Sequence, residues 1–512
     1  MGIRVIIMDV DGTLTNSEKI VTPKTKEALI KAEQFQKEAA KHAEKSYWKP
    51  KYHITAPAGW INDPNGFCYF KGEYHLFYQY HPYSPQWGPM HWGHAASRNL
   101  VHWQTRPVAL APTDEYDKNG CFSGSAIEKD GKLYAIYTGH VDLDKSLGGD
   151  DRIESQCLAV SEDGSIFTKW ENNPVVQRVP ENIGIRTEHF RDPKVWKHND
   201  FYYMVVGVQT AEESGAVVLY KSQNLIDWEF VNVMAKSKIE ENLGFMWECP
   251  NFAEVDNKEV LIVSPQGMKP EGKKYLNVHQ SGFFLGKMDY ETGIFDCQVP
   301  FDMLDYGFDF YAPQIMQDEH NNRCIMIAWL DMWENTMPEQ KDGWCGMMSI
   351  PRILKVHGDT IYSKPAPELV LLRKNKIHHE TVMDTAAVLD GVAGDCFELN
   401  TVFDLASADG FMLKLRVSKD EETDIIYDKK KNLLVLDRDK SGSGIKGQRQ
   451  VKIAPMDDKL SLQIFSDRSS VEIFVNGGQR VLSSRIYPTE KATGIVFVPS
   501  GLVNAVIDFY EL

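Results

Sequence analysis

The chain has 512 residues, a formal net charge of −16 at pH 7, 43% hydrophobic residues and 11% aromatic residues. Its length exceeds what one hydrophobic core supports, so we expect two or more domains, and its composition is that of a packed globular protein. The acidic balance argues against a nucleic-acid partner and against an anionic membrane surface, and no apolar run is long enough to predict a transmembrane helix.

The N-terminal segment carries an apolar strand, Ile6 to Leu14, that contains the acidic residues Asp9 and Asp11. It resembles the first motif of haloacid dehalogenase-type phosphatases, but only about 45 residues precede the next domain, too few for that fold. We interpret residues 1–48 as an extension, made of a truncated phosphatase-like remnant and a helix from Pro23 to about Trp48. We predict no phosphatase activity. The segment lacks a signal-peptide pattern, which predicts a cytoplasmic location.

Between residues 49 and 350 one pattern returns five times: a polar or acidic motif, an apolar strand, a polar turn and a second strand with alternating apolar residues. The repeats are marked by Asp63, Ser123, Asp192, Glu248 and Pro313, at steps of 60, 69, 56 and 65 residues. Strand–turn–strand units with period-two alternation are hairpins. Five such units at a similar spacing indicate a five-bladed β-propeller.

Three of the five markers, Asp63, Asp192 and Glu248, are acidic and lie close to a proline. A single acid in such a position is usually only part of a turn. The innermost strands of a propeller line its axis, however, so we expect equivalent positions of different blades to converge. Hydrolysis of a glycosidic bond needs two carboxyl groups, and a third can stabilise the charge that develops on the sugar ring. The three acids together therefore predict a glycosidase.

The C-terminal part of the chain has a different pattern. Lys364-Pro365-Ala366-Pro367 predicts a linker at residues 351–375. Residues 376–512 contain short strands between polar turns, with a strong hairpin signal at Asn476-Gly477. The strands are expected at 412–417, 433–436, 460–464, 471–475 and 494–498. The chain is therefore predicted to be all-β, a five-bladed β-propeller followed by a C-terminal β-sandwich with a short N-terminal strand–helix extension.

The eight cysteines and the histidines near the first blade show no metal-ligand spacing. No CxxC pair occurs, so we interpret the cysteines as reduced core thiols. Four histidines are assigned to packing or to polar networks: His53, His81, His91 and His94. We therefore expect no metal and no cofactor.

Eight motifs resemble those of glycoside hydrolase family 32, the invertase and fructanase group. They are Trp60–Gly66, Phe77–Tyr80, Trp92–Ala95, Phe122–Ser125, Phe190–Pro193, Trp247–Pro250, Phe310–Gln314 and Gly343–Gly346. The resemblance extends from the end of the N-terminal extension to the C-terminus, and it implies the same propeller and sandwich. Within the family, Asn99–Trp103 and Gly120–Ser125 are most similar to bacterial sucrose-6-phosphate hydrolases.

The resemblance implies hydrolysis of a β-fructofuranosidic bond with retention of configuration, by double displacement. It assigns Asp63 as the nucleophile, Glu248 as the acid/base and Asp192 as the transition-state stabiliser. The carboxyl groups of Asp63 and Glu248 are then expected about 5–5.5 Å apart, with Glu248 keeping its proton to higher pH than Asp63.

The resemblance also implies a fructose pocket, formed by Asn62, Gln79, Trp87, Phe122 and Ser123. Arg191 is expected either to compete for the oxygens of Asp192 or to keep that residue ionised. Three weaker candidates, for which core packing is an equal expectation, are Cys249, Tyr311 and Trp329.

Several alternatives stay open from the sequence. The leading hypothesis is hydrolysis of sucrose 6-phosphate or sucrose, and the first alternative is an exo-acting fructan hydrolase with the same chemistry. A carbohydrate-binding propeller without catalysis is disfavoured, because binding alone does not require all three acids. A phosphate on the leaving sugar calls for basic residues, with Arg152 or Arg186 as candidates. The pattern indicates no oligomeric state.

Overall fold

The computed structural model describes residues 23–144 and 151–512, which form one α-helix, thirty β-strands and two short 3-10 helices. The helix α1 spans Pro23–Ala43 and ends before the expected Trp48, because the amides of Lys45 and Ser46 bond three residues back instead of four. No helix among the described residues is long and apolar enough to cross a membrane. The phosphatase-like motif at Asp9 and Asp11 lies outside the described residues.

Twenty-one strands build five blades around a common axis, as predicted from the repeat. Blade one contains β1 Gly59–Phe70, β2 Glu73–His81, β3 His91–Ser97 and β4 Trp103–Leu110. Blade two contains β5 Gly120–Lys129, β6 Lys132–Asp142, β7 Arg152–Ser161 and β8 Thr168–Lys169. Blade three contains β9 Ile185–His198, β10 Phe201–Thr210, β11 Gly215–Ser222 and β12 Glu229–Lys236. Blade four contains β13 Met246–Val255, β14 Lys258–Gln266, β15 Gly282–Asp289 and β16 Ile294–Met303.

Blade five includes residues that the sequence assigned to a linker. Its strands are β17 Tyr311–Asp318, β18 Arg323–Trp329, β20 Arg352–His357 and β21 Thr360–Pro365. The prediction of a linker at 351–375 is wrong for residues 352–365, because Arg352 to Leu354 pair with β18 and complete the blade. The ring is closed by β19, Trp344–Cys345, which pairs in parallel with the start of β1.

Every innermost strand is interrupted at the same place by a β-bulge. The register shifts after Ile61, Phe122, Arg191, Glu248 and Tyr311. A proline stands at this point in four blades, and proline fits a bulge because it has no N–H to offer the ladder. Blade two has Gly124 instead, where a Cβ atom would lie 2.1 Å from the Ile136 carbonyl oxygen. A bulge redirects the neighbouring side chains, so the fold presents five equivalent positions at one end of the axis.

The C-terminal domain contains the remaining nine strands in one folded sheet. They are β22 Lys374–Met383, β23 Phe397–Val417, β24 Thr423–Asp428, β25 Leu433–Asp437, β26 Gln448–Lys452, β27 Lys459–Asp467, β28 Ser470–Val475, β29 Arg480–Arg485 and β30 Gly494–Glu511. The long strands β23 and β30 pair along their whole length and belong to both layers around an apolar core. The five predicted strands lie within β23, β25, β27, β28 and β30, and the predicted Asn476-Gly477 turn joins β28 to β29.

The propeller and the sandwich meet through buried charged residues. His53 lies between two carboxylates of the sandwich, with Nδ1 2.9 Å from Asp467 and Nε2 3.0 Å from Glu472. Arg352 of blade five contacts Glu472 as well, and its Nη1 donates to Asp305 at 2.9 Å. Burial disfavours the charged form of His53, but the hydrogen bonds to the two carboxylates raise its pKa to about 9. The assignment of His53 to a polar network is confirmed.

This network predicts a loss of stability in alkaline solution. The folded-state pKa of His53 is raised, so the stabilisation is complete below the unfolded value of 6.5 and is lost as the pH rises through about 9. We expect His53→Gln to reduce the dependence of Tm on pH between 7 and 10, by the equivalent of about 3 kcal/mol. His378→Gln, at an exposed histidine 2.7 Å from Asp508, is the matched control. Equal pH dependence of wild-type protein and His53→Gln would contradict the assignment.

The other three histidines also satisfy local contacts. His94 Nε2 lies 3.0 Å from Nδ1 of His75, and its ring stacks on Phe77 at 4.3 Å. Nδ1 of His91 lies 3.0 Å from the Pro89 carbonyl oxygen, and Nδ1 of His81 lies 2.8 Å from that of Gln86. Their assignment to packing or to polar networks is therefore confirmed.

Candidate active site

Asp63 lies at the bulge of β1, where two neighbouring side chains fix its carboxylate. Asn62 Nδ2 donates to Oδ1 at 3.0 Å, and Ser123 Oγ of blade two donates to Oδ2 at 2.8 Å. Trp60 Nε1 in turn donates to Asn62 Oδ1 at 2.8 Å, which fixes the orientation of the Asn62 amide. Burial, together with the nearby Glu248, raises the pKa of Asp63. The carboxylate is thus held with both oxygens defined and is poorly solvated.

Asp192 lies at the bulge of β9 and is joined to Asp63 by Cys249 of blade four. Asp192 has a positive φ of 68° and Cys249 one of 46°, the left-handed region that a bulge requires here. The Cys249 amide donates to Asp192 Oδ2 at 2.9 Å. The Cys249 thiol lies 3.5 Å from Asp63 Oδ2 and 3.6 Å from Asp192 Oδ2. Burial and these two acids raise the pKa of the thiol, which therefore acts as a donor between them.

Glu248, on the neighbouring position of β13, is held by Arg191 and Tyr311. Arg191 donates to Oε1 through Nη2 at 2.8 Å and through Nε at 3.1 Å, and Tyr311 Oη donates to Oε2 at 2.5 Å. Burial raises the pKa of the two other acids, Asp63 and Asp192. The expected order, in which Glu248 keeps its proton longer than Asp63, stays a prediction.

Arg191 does not hydrogen-bond to Asp192, since its Nε is 4.0 Å from Asp192 Oδ2. Burial raises the pKa of Asp192 to about 8, and the charge of Arg191 opposes that rise, as expected of a residue that favours an ionised Asp192. Its Nη1 contacts Glu154 Oε2 at 3.2 Å and His189 Nδ1 at 3.0 Å. Although burial works against ionisation, Arg191 and His140 lower the pKa of Glu154 to about 2. Arg191 therefore joins two carboxylates of different blades, Glu154 and Glu248.

Glu154 was missed by the sequence interpretation. It lies near the start of β7, in the third strand of blade two, and is 1% exposed. Its carboxylate also accepts the amide of Phe190 at 3.0 Å, one residue before Arg191. The only sequence signal was an acid beside apolar strand residues, which is too common to single it out.

Two aromatic residues of the predicted fructose pocket form the rim of the site. Trp87 is 49% exposed and meets Phe122 edge to face, with ring centroids 6.2 Å apart. Phe122 also stacks on His140, with ring centroids 4.1 Å apart. Exposed aromatic faces suit the C–H surfaces of a sugar, so this rim can contact a carbohydrate outside the three acids.

Two predicted pocket residues lie behind the surface of the site. Gln79 is 2% exposed and donates to the carbonyl of Cys121 at 3.0 Å, which joins blades one and two. Trp329 is fully buried and packs 5.9 Å from Trp60 and 5.1 Å from Trp333. Trp333 was not predicted, yet it stacks on Trp60 at 6.0 Å and is only partly buried. Trp329 thus supports an aromatic cluster in which Trp333 is the partly exposed member.

The two arginines considered for a phosphate group have acidic partners. Arg152 begins β7 and donates to Asp151 at 2.8 Å, with 33% of its side chain exposed. Arg186, near the start of β9, contacts Glu213 at 2.8 Å and is 36% exposed. Both strands begin at the end of the propeller that holds the acids. Arg152 is close enough to Arg191 for their charges to interact.

Comparison with known proteins agrees with this architecture. A family model described as the glycosyl hydrolases family 32 N-terminal domain matches residues 53–365, and one described as the family 32 C terminal matches residues 368–509. Neither match includes the segment that resembles a phosphatase, and the comparisons give that resemblance no support.

Individual relatives cover nearly the whole chain. A sucrose-6-phosphate hydrolase of Zymomonas mobilis is 44% identical over 94% of this chain and 95% of its own. The structure of a sucrose-6-phosphate hydrolase from Lactobacillus gasseri superposes with a TM-score of 0.85 at 30% identity, over 94% and 96% of the two chains. A Bombyx mori β-fructofuranosidase, solved in complex with sucrose, superposes with a TM-score of 0.82 at 35% identity, over 95% of this chain and 98% of its own. The chain therefore belongs to glycoside hydrolase family 32.

Proposed function

We propose that this protein hydrolyses the β-fructofuranosidic bond of sucrose 6-phosphate, of sucrose, or of both, with retention of configuration. The proposal is carried by one observation: Asp63, Asp192 and Glu248 lie at the bulges of three blades, where Cys249 joins the first two acids and Arg191 hydrogen-bonds to the third. Its relatives, two sucrose-6-phosphate hydrolases and a β-fructofuranosidase in complex with sucrose, supply the substrate class.

In the first step, Asp63 attacks the anomeric carbon of the fructosyl unit. Asn62 and Ser123 hold its two oxygens, so the carboxylate meets the sugar in one orientation and loses little entropy in doing so. Glu248 gives its proton to the leaving glucosyl oxygen. The donors on Arg191 and Tyr311 then stabilise the carboxylate that Glu248 becomes.

In the second step, Glu248 removes a proton from water, which attacks the fructosyl–Asp63 ester and releases fructose. Asp192 does not bond to the sugar carbon. Its Oδ2 is occupied by the amide and thiol of Cys249, which leaves Oδ1 to accept a fructose hydroxyl and to stabilise positive charge on the ring. The separation of about 5–5.5 Å between the Asp63 and Glu248 carboxyl groups stays a prediction.

A 6-phosphate on the leaving sugar would be bound beyond the aromatic rim. We assign this role to Arg152, which is partly exposed, permanently charged and adjacent to the Arg191–Glu154 pair. The phosphate would replace Asp151 as its partner, since a guanidinium binds either group through two parallel hydrogen bonds.

The test compares kcat/KM on sucrose 6-phosphate with kcat/KM on sucrose. We expect Arg152→Met to lower the ratio by about tenfold, because a hydrogen bond to a charged group is worth about 1.5–3 kcal/mol, while the rate on sucrose is retained. Arg98→Met, at an arginine 85% exposed in the loop between β3 and β4, is the control and should leave the ratio unchanged. Activity on fructans alone would favour the fructan hydrolase, and inactivity on every substrate would favour a binding propeller.

We further propose that the enzyme acts in the cytoplasm and that the boundary between its domains lies between Pro365 and Lys374. All eight cysteines are free and seven are buried, which fits a reducing compartment. The strands on the two sides of this boundary belong to different sheets.

A further inference from the structure

The sandwich contacts the propeller along the segment that leads into the active site. The amide of Tyr306 donates to the Val481 carbonyl at 2.8 Å, and that of Phe308 donates to the Ser483 carbonyl at 2.8 Å, so residues 306–308 lie along β29. A Cβ atom on Gly307 would lie 2.0 Å from the Ser483 carbonyl oxygen. The two backbones are therefore too close for a side chain at this position, and the approach is fixed.

Asp309, at the end of this segment, is fully buried and joins three parts of the molecule. Its Oδ2 accepts from Nη1 of Arg438 at 2.6 Å and from the Arg485 amide at 2.7 Å, both in the sandwich. Its Oδ1 accepts from Asn335 at 2.6 Å, in the loop that carries Trp333. The carboxylate is thus a fixed point between the sandwich and blade five.

Tyr311 follows Asp309 by two residues, and its hydroxyl donates to Glu248 Oε2 at 2.5 Å. Tyr311 is 1% exposed, so its position depends on the backbone that carries it and on the surrounding packing. A shift of the Asp309 backbone would move this hydroxyl relative to the carboxylate. The chain of contacts from Arg438 to Glu248 therefore contains one ion pair, two residues of backbone and one hydrogen bond.

Arg438 is poorly explained by stability alone. It is 5% exposed, its guanidinium lies 3.7 Å from the ring centroid of Phe308, and its Nε has no hydrogen-bond partner among the described residues. Burying a guanidinium with an unsatisfied N–H is costly, and apolar residues of similar size often stabilise such a position better. A role in fixing Asp309 accounts for a charged residue at this place.

We propose that Arg438 of the sandwich is a positioning residue for the acid/base Glu248, acting through Asp309 and Tyr311. The inference rests on the proposed function. It assigns the sandwich a part in the protonation of the leaving group, in addition to any contribution to stability.

The test compares two substrates that differ in their need for a proton donor. The glucosyl unit of sucrose leaves as an alkoxide unless Glu248 protonates its glycosidic oxygen, whereas β-fructofuranosyl fluoride loses fluoride with little assistance. For Arg438→Met we expect kcat/KM on sucrose to fall by about tenfold, part of what general acid catalysis contributes, with little change on the fluoride. Arg438→Lys keeps a charge within reach of Asp309 and should restore part of the loss.

A double-mutant cycle tests the route. Tyr311→Phe should give the same selective loss on sucrose, and adding Arg438→Met to Tyr311→Phe should add little, because both changes act on one hydrogen bond. Independent, additive losses would overturn the route through Tyr311.

The control is Arg416→Met, at a fully buried arginine of the same domain that contacts the Ala492 carbonyl and Tyr47. It should change the rates on the two substrates in equal proportion, as a loss of folded protein does. Equal losses on both substrates for Arg438→Met, or no loss on either, would overturn the proposal. Wild-type protein inactive on both substrates would instead refute the proposed function itself.

Discussion

Replacing Asp63 by Asn should reduce kcat on sucrose by at least about four orders of magnitude while the protein stays folded. An amide cannot form the fructosyl ester, yet Asn has nearly the same volume as Asp and can still accept from Ser123. Steady-state rates measure the loss, and Tm measures folding. Rapid quenching of the wild-type reaction followed by peptide mass spectrometry should locate a fructosyl group on Asp63, and the variant should show none.

Asp318→Asn is the matched control for this experiment. Asp318 is another buried carboxylate of the propeller, held by Arg323 at 2.8 Å and Tyr74 at 3.1 Å, on the far part of β17. Its replacement should lower Tm and leave kcat per folded molecule unchanged. If Asp63→Asn hydrolysed sucrose at a wild-type rate, Asp63 would not be the nucleophile.

Replacing Glu248 by Ala should lower kcat/KM on sucrose by about 10²–10⁴-fold, with a much smaller loss on β-fructofuranosyl fluoride. The alkoxide leaving group of sucrose needs the proton of Glu248, and fluoride does not. Azide should restore turnover of the fluoride, because a small anionic nucleophile needs no general base and fits the space that the side chain leaves. The product should be the β-fructosyl azide, because azide attacks the fructosyl–Asp63 ester from the face opposite Asp63, which fluoride has left.

The configuration of that azide distinguishes the two roles. An azide of inverted configuration would assign Glu248 as the nucleophile, since azide would then have replaced it in a single displacement. Glu248→Gln provides a second comparison. It keeps the volume and still accepts from Arg191, so it should lose activity on sucrose without azide rescue.

The repeat and the position of the acids could be read from the sequence because both depend on local features. Each blade begins with a polar motif at a proline or glycine, and each such motif proved to be a bulge in an innermost strand. Once the period indicated a propeller, the convergence of Asp63, Asp192 and Glu248 followed from symmetry. The prediction of a linker was partly wrong for a related reason. Pro365 and Pro367 indicated a break in the chain, but the strand that ends at Pro365 is the outer edge of blade five, where proline is tolerated.

The sequence by itself determined a β-propeller with three converging acids, followed by a β-sandwich, because periodic motifs and strand alternation depend on residues close together in the chain. Only the tertiary structure decided what surrounds those acids. Arg191 and Tyr311 reach Glu248 across 57 and 63 residues, and Arg438 reaches Asp309 across 129. Such contacts depend on how blades and domains pack, since side chains at these distances meet only after the backbone has folded.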